Sequence, residues 1–297
     1  MSVTAATTRK FKIIKKSVEP AEKNASVPEP VPASSLVSYR LIDFHICDEA
    51  PGEKRNSDGS SIASASSGNE DTVMNPVENN YNKKDKKEFR IQMFGINEEG
   101  ETCSIFVDDY HPFFYVKVAD HWTNTTKLAF IRDIKKKVGK FHESGILIEQ
   151  CEIVEKKKLY GFDGGKLHKF VVIVFKNTIV MNKVKNLWYE YEDEDAYTPR
   201  DGKTRRLIPS GYTFANTNIS IYEANIPPIL RFFHIQKISP SGWVQFSLKK
   251  TRLIYSSTTS CNYEYRISFE DIIPLNDKET TVPYKICSFD IEASSSH

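Results

Sequence analysis

No stretch of this chain is long and apolar enough to cross a bilayer, which takes about 20 consecutive apolar residues in a helix. Residues 1–16 are basic but have no apolar core of the kind a secretory leader carries. No Cys-x-x-Cys pair occurs, and the five cysteines (Cys47, Cys103, Cys151, Cys261, Cys287) are odd in number. That pattern argues against a disulfide framework or a zinc ribbon and predicts buried thiols in a reducing compartment. In such a compartment the Asn-x-Ser/Thr triplets at Asn24, Asn124 and Asn218 carry no glycan. The net charge is only +2, so any affinity for nucleic acid must come from local clusters. The seven histidines are scattered and support no Ser-His-Asp or Cys-His arrangement. Residues 161–167 (GFDGGKL) look superficially like a phosphate loop, but the glycine spacing is wrong and Lys166 is followed by Leu167 rather than Ser or Thr.

What remains is enough for an ordinary core. The 297 residues suffice for two domains, and apolar residues at 39% with aromatics at 12% can fill them. Residues 1–36 are rich in Lys, Pro, Ala, Ser and Val without periodicity, and read as a disordered basic tail. Arg9, Lys10, Lys12, Lys15 and Lys16 in it would suit nuclear import or weak phosphate contact. Residues 37–46 predict a strand, and residues 47–87, dominated by Ser, Asn, Gly, Glu and Lys, a disordered insertion. A hairpin follows: strands at 88–96 and 102–107 around the turn Asn97–Gly100.

Residues 113–118 begin a second unit. Phe130, Ile131, Ile134 and Val138 share one face of a helix predicted over 125–140. Strands are expected at 145–154 and 169–175 around a turn at 156–165, then a helix at 178–189 and a closing strand at 219–222. This order of strand, helix, strand, strand, helix, strand suggests a ferredoxin-like or RRM-like unit over 110–222. The acidic run 190–195 reads as a solvated loop, and 231–248 and 260–273 as further strands returning to the first sheet as a partly open, OB-like barrel.

Two basic triplets, Lys135, Lys136, Lys137 and Lys156, Lys157, Lys158, could meet phosphates, although a solvated helix face and hairpin explain them as well. The strand at 169–175 lacks the glycine and interleaved aromatics of an RNA-stacking strand. The last segment, 284–293 (YKICSFDIEA), carries the sharper chemistry. As a strand it would place Asp290 and Glu292 on one face, about 6.5–7 Å apart. Two carboxylates so placed can share a pair of hard cations about 3.5–4 Å apart, Mg²⁺ or Mn²⁺ rather than zinc, for phosphodiester cleavage.

Context sharpens that reading. SFDIEA resembles the first exonuclease motif of family B DNA polymerases. Upstream, Tyr222, Glu223, Ala224, Asn225, Arg231, Phe232, Gly242 and Trp243 match a second stretch of that family, and Phe94, Gly95, Gly100, Pro112, Phe113, Phe114 and Tyr115 a third. The three lie in family order from about residue 88 onward, most like the delta-type eukaryotic enzymes and those of large DNA viruses. The resemblance implies an α+β amino-terminal domain over 37–280 and, over 281–297, the first strand of an RNase H-like 3′–5′ exonuclease domain. Asp290 and Glu292 would be its metal ligands, Arg231 part of a buried polar network, and Phe113, Phe114 and Tyr115 core residues. It further implies a nucleotidyltransferase of DNA replication that works on template and primer DNA in the nucleus or a viral replication compartment, with no membrane partner. The polymerase motifs and the remaining exonuclease acids are not in this sequence, so the chain reads as a truncated piece, inactive alone and completed by the remainder of the polymerase. The alternative is a non-catalytic module that binds single-stranded nucleic acid or serves as one half of a split polymerase. A third reading, an unrelated RNase H-like nuclease, leaves the upstream matches unexplained.

Overall fold

The computed structural model describes residues 36–49, 87–158, 162–191, 205–254, 258–288 and 290. All belong to the unit spanning 33–297. The basic tail, most of the 47–87 insertion, the acidic run beyond residue 191, and Glu292 lie outside them.

In chain order the strands and helices are β1 (Leu36–Glu49), β2 (Glu88–Ile96), β3 (Thr102–Asp108), β4 (Phe113–Lys117), α1 (Asn124–Val138), α2 (Lys140–Glu143), β5 (Glu152–Lys157) and β6 (Leu167–Val174). Then follow α3 (Thr178–Lys185), β7 (Tyr189–Tyr191), β8 (Arg205–Leu207), β9 (Tyr212–Phe214), β10 (Thr217–Tyr222), α4 (Pro228–Gln236), β11 (Trp243–Ser247), β12 (Arg252–Leu253), β13 (Tyr263–Ser268) and β14 (Ile273–Leu275). The result is a strand-rich α+β architecture. One sheet has seven strands in the order β12-β13-β3-β2-β1-β11-β14, a second has five in the order β5-β6-β4-β10-β9, and β7 pairs with β8.

In the five-stranded sheet, β4, β5, β6 and β10 are joined through α1 and α3, and every pairing is antiparallel. Alternation along β4 decides its two faces. Phe114 points at the helices, packing on Phe175 and Trp188, while Phe113 and Tyr115 point away. Thr123 caps α1 by accepting from the Thr126 amide, and Phe130, Ile131, Ile134 and Val138 bury its inner stripe. Gly139, at φ 85°, stops the helix. Asn177 caps α3 in the same way.

The seven-stranded sheet draws on both ends of the described chain. The β2–β3 hairpin turns through Asn97, whose side chain accepts from the Glu101 amide at 2.7 Å, and through Gly100 at φ 86°. β1 pairs with β11 over its first half and with β2 over its second, with a bulge between Leu41 and Asp43. β13 runs parallel to β3, Tyr263 opposite Cys103 through Ser268 opposite Asp108. One face is core, with Leu41, Met93, Ile105, Phe246 and Ile267 buried against Phe232 of α4.

Several sequence expectations shift. Residues 231–236 form helix rather than strand, because Pro227 and Pro228 start α4 at its first turn and bury Arg231 and Phe232 on one side. The strand expected over 145–154 is a bridge at Ile146, a short 3₁₀ turn at Ile148–Gln150 and then β5, so Lys156 and Lys157 lie on a strand rather than in a turn. The strand expected over 284–293 is absent from its described residues: 284–288 carry no strand pairing, and Ile286 is 91% exposed. A strand forms where a neighbour offers a ladder of hydrogen bonds, and none of the described residues lies alongside to do so.

Candidate functional site

Asp290 is approached by a strap that is firmly held up to Tyr284. Val282 is buried with Ile96 and Trp243. The Trp243 indole donates to the Thr280 carbonyl at 3.0 Å, and Arg40 donates to the same oxygen at 3.2 Å. The Lys278 ammonium sits 3.8 Å from the Trp243 ring centre and 2.6 Å from Glu98 Oε1. Arg40 also lies over the Tyr284 ring. Beyond Tyr284 the chain is exposed as far as Ser288, and Asp290 is exposed. Among the described residues no three His, Cys, Asp or Glu side chains converge to hold a metal ion. Asp290 on its own does not make an octahedral oxygen site.

The two lysine triplets do not form one patch. Lys135, Lys136 and Lys137 fill the last turn of α1, where they suit the negative end of the helix dipole. Lys137 lies 4.2 Å over the Tyr212 ring and 3.6 Å from Asp133, which itself accepts from the Tyr212 hydroxyl at 2.5 Å. Lys156 is across the sheet from that helix, with its ammonium 5.4 Å from the Tyr115 ring. Lys158 is 3.6 Å from Asp163, whose carboxylate contacts His168 Nε2 at 2.5 Å. The hydrogen bond from His168 holds the Asp163 carboxyl below the usual carboxylate range.

Arg231 is the centre of a buried network, as the resemblance implied. It is 7% exposed, with Nη1 donating to Glu223 Oε2 at 2.6 Å and Nη2 to the Glu223 carbonyl at 2.8 Å. Its guanidinium stacks 4.6 Å over Phe113 and 5.5 Å from Tyr115. Glu223 itself stands in the left-handed region at φ 58°, a conformation that costs a non-glycine residue about 1–2 kcal/mol and that the Arg231 bonds help hold. Arg231 thus fastens α4, which packs on the seven-stranded sheet, to the outer face of the five-stranded one. Phe114 and Tyr115 are buried and Phe113 half-buried, so these rings serve as core.

With that geometry in place, similarity to other proteins is informative. Residues 219–297 match the family model described as DNA polymerase family B, exonuclease domain. A DNA polymerase of Phaeocystis pouchetii virus is 43% identical over 261 residues, 88% of this chain and 22% of that protein. The chain is related to the family B DNA polymerases. The DNA polymerase of Acanthamoeba polyphaga mimivirus is 28% identical, with 73% of this chain aligned to 12% of that protein. The DNA polymerase delta catalytic subunit of Schizosaccharomyces pombe is 25% identical, covering 69% of this chain and 17% of that protein. The chain therefore spans about a fifth or less of these polymerases. The matched segment begins in β10 and runs through α4, the strap and the SFDIEA motif. No helix among the described residues is long and apolar enough to cross a membrane.

The sequence reading did not find the polar outer face of the seven-stranded sheet. The available signal was the alternation in β2, where Arg90, Gln92 and Phe94 share one side and Ile91 and Met93 the other.

Proposed function

We propose that this chain is the amino-terminal part of a DNA-directed DNA polymerase with a 3′–5′ proofreading exonuclease, acting in DNA replication in the nucleus or a viral replication compartment. The observation that carries this is the family match over 219–297, which includes Asp290 and Glu292. In this reading the pair supplies metal-binding carboxylates to an RNase H-like exonuclease site completed by further acids, with Mg²⁺ or Mn²⁺ as the metal. Held by Asp290, Glu292 and the further acids, such a metal would supply Lewis-acid chemistry for phosphodiester cleavage. This chain's own part is to brace the strap that carries the acids and to face the DNA.

The order β5-β6-β4-β10 with two intervening helices supports an RRM-like unit over 110–222. The bulged β1, shared between β2 and β11, supports a partly open OB-like barrel around it. The reading divides the chain into a tail (1–36), this domain (37–280, with the 47–87 insertion) and the start of the exonuclease domain (281–297).

The test uses a polymerase that carries this chain. Asp290→Ala with Glu292→Ala should cut Mg²⁺-dependent removal of 3′ nucleotides at least a hundredfold and leave nucleotide addition near normal. Undiminished digestion would refute the assignment. A second reading, a non-catalytic single-strand-binding or assembly module, is favoured by one observation, a cavity of about 450 Å³ on the outer face of the seven-stranded sheet lined by Arg90, Phe94, Phe106 and Arg266.

A further inference from the structure

The strap that leads to Asp290 is held in place without a strand ladder. Residues 278–284 carry no strand pairing, yet they are fastened at every second residue. The Lys278 ammonium donates to Ser38 Oγ at 3.2 Å, besides meeting Glu98 and the Trp243 ring. The Thr280 carbonyl takes two donors, the Trp243 indole and the Arg40 guanidinium. Val282 is buried against Ile96 and Trp243. Tyr284 lies under Arg40, and its amide donates to the Val282 carbonyl at 2.9 Å. Pro283 rests on the β2–β3 turn: a Cβ at Gly100 would stand 3.1 Å from Pro283 Cγ, and Gly100 at φ 86° keeps that space open.

These anchors come from three elements of one sheet: Ser38 and Arg40 of β1, Trp243 of β11, and Ile96, Glu98 and Gly100 at the β2–β3 turn. Register sets Arg40 opposite both Ile96 and Trp243, so the three form one cross-strand row beneath the strap. Trp243 is 2% exposed and meets the strap in three ways. Its indole N–H bonds the Thr280 carbonyl, its ring faces the Lys278 ammonium, and it packs on Val282. Arg40 directs its remaining donor, Nε, to the Ser241 carbonyl at 3.2 Å, which ties the strap to the turn before β11. A ladder fixes a chain through its backbone, whereas a segment held by side chains keeps its course only while those side chains are present.

From these contacts we infer that Trp243, Arg40 and Lys278 are positioning residues for proofreading: by fixing the root of the strap they set where Asp290 and Glu292 enter the exonuclease site. The inference rests on the exonuclease reading and assigns to it residues that act only through the strap. The lever is long. Six residues of extended chain reach about 20 Å from Tyr284 to Asp290, so a tilt of about 5° at the root displaces the carboxylate by about 1.7 Å. Misplacing a reacting group by about 1 Å can cost on the order of a hundredfold in rate. Neighbouring strands of a complete exonuclease sheet would help hold the acids, so the loss expected from a loosened root is about tenfold. Because the clamp governs placement of the acids and not binding, that loss should fall on kcat and leave KM for the 3′ end unchanged.

The test pairs two measurements. In the full chain, hydrogen exchange across 276–284 reads the strap directly, with no metal involved. Trp243→Phe keeps a ring and removes the indole donor; Lys278→Ala removes the ammonium without opening the core. Each should speed exchange in the strap about tenfold and leave exchange in β4 and β6 unchanged. In a polymerase that carries this chain, each should lower exonuclease kcat about tenfold, with KM and nucleotide addition within about twofold of normal. Lys278→Arg keeps a cation beside Glu98 and over Trp243, so it should hold both readouts within about twofold of the unaltered protein. Should Trp243→Phe fail to fold, the two Lys278 variants decide. A loosened strap with unchanged kcat, a lower kcat with unchanged exchange, a rise in KM alone, or equal losses in Lys278→Arg and Lys278→Ala would each overturn the inference. The Asp290→Ala, Glu292→Ala control keeps the two readings apart. Undiminished digestion there sinks the exonuclease assignment and this inference with it; full loss there, beside an unchanged kcat in the strap variants, sinks this inference alone.

Discussion

The two sheets of this molecule solve the same burial problem differently. The five-stranded sheet is covered on one face by α1 and α3 and closed on the other by the Arg231 guanidinium lying over Phe113 and Tyr115. The seven-stranded sheet buries one face under α4 and leaves the other polar, with three arginines, a locked glutamine and two phenylalanines on a cross-strand grid. A sheet filled on both sides has little room for a ligand, whereas a sheet with one structured polar face keeps a surface on which recognition can evolve without unmaking the core. Function, on this comparison, belongs to the face that packing leaves unused.

The largest expected effect falls in the filled sheet. Phe114 is fully buried among Phe175 and Trp188, so Phe114→Ala should destabilise the chain by about 3–5 kcal/mol, read as a lower denaturant midpoint. If the loss were under about 1 kcal/mol, that sheet would not be the rigid half of the comparison. An intermediate effect should come from the contact between the halves. Arg231→Leu keeps an apolar stem but strips Glu223 of its partner. Because Glu223 is half-exposed, water recovers part of the loss, leaving a cost of about 1–3 kcal/mol. Unfolding should also become less cooperative, with intrinsic probes of the two sheets no longer coinciding. A single transition in the variant would show that Arg231 does not couple the halves.

The smallest effect concerns the polar face. Burial alone would raise the Glu264 carboxyl, but the hydrogen bonds from Thr259 and Thr258 outweigh it and bring it below the ordinary value. A carboxyl depressed on folding contributes stability that is present above the unfolded pKa of about 4.3 and disappears as pH falls through the lower folded value. Glu264→Gln should therefore cost about 1 kcal/mol at neutral pH. It should also flatten the stability profile below about pH 4 compared with the unaltered chain. Parallel acid profiles for the two proteins would show that the carboxylate does not hold residues 258 and 259 in place.

The halves also differed in how far they could be read beforehand. The strand and helix order of the five-stranded sheet was legible because its partners are close in sequence and its apolar residues keep clean periods, such as Phe130, Ile131, Ile134 and Val138. Return of the later strands to the first sheet was legible as an expectation, but the parallel pairing of β13 with β3 was not, since no local pattern encodes a neighbour so distant. Helix α4 was hidden by its β-formers, Phe232, Phe233 and Ile235, although Pro227 and Pro228 were the signal that should have prevailed. At the candidate site, Asp290 and Glu292 stand as candidates through motif resemblance alone. The cavity on the outer face of the seven-stranded sheet was not legible, because it is made by side chains from four strands, with Ile254, Thr258 and Thr259, and their alternation shows only once the register is known.

The β13–β3 pairing has a consequence for biogenesis. The five-stranded sheet is spelled out between β3 and α4, so a nascent chain can condense it while β11, β13 and β14 are still untranslated. Until β13 emerges, β3 must wait as an open edge, with its hydrogen-bonding groups available to any passing strand. That edge therefore stays open from the emergence of β3 at residue 108 until β13 is complete at residue 268, a span of synthesis that includes the whole five-stranded sheet.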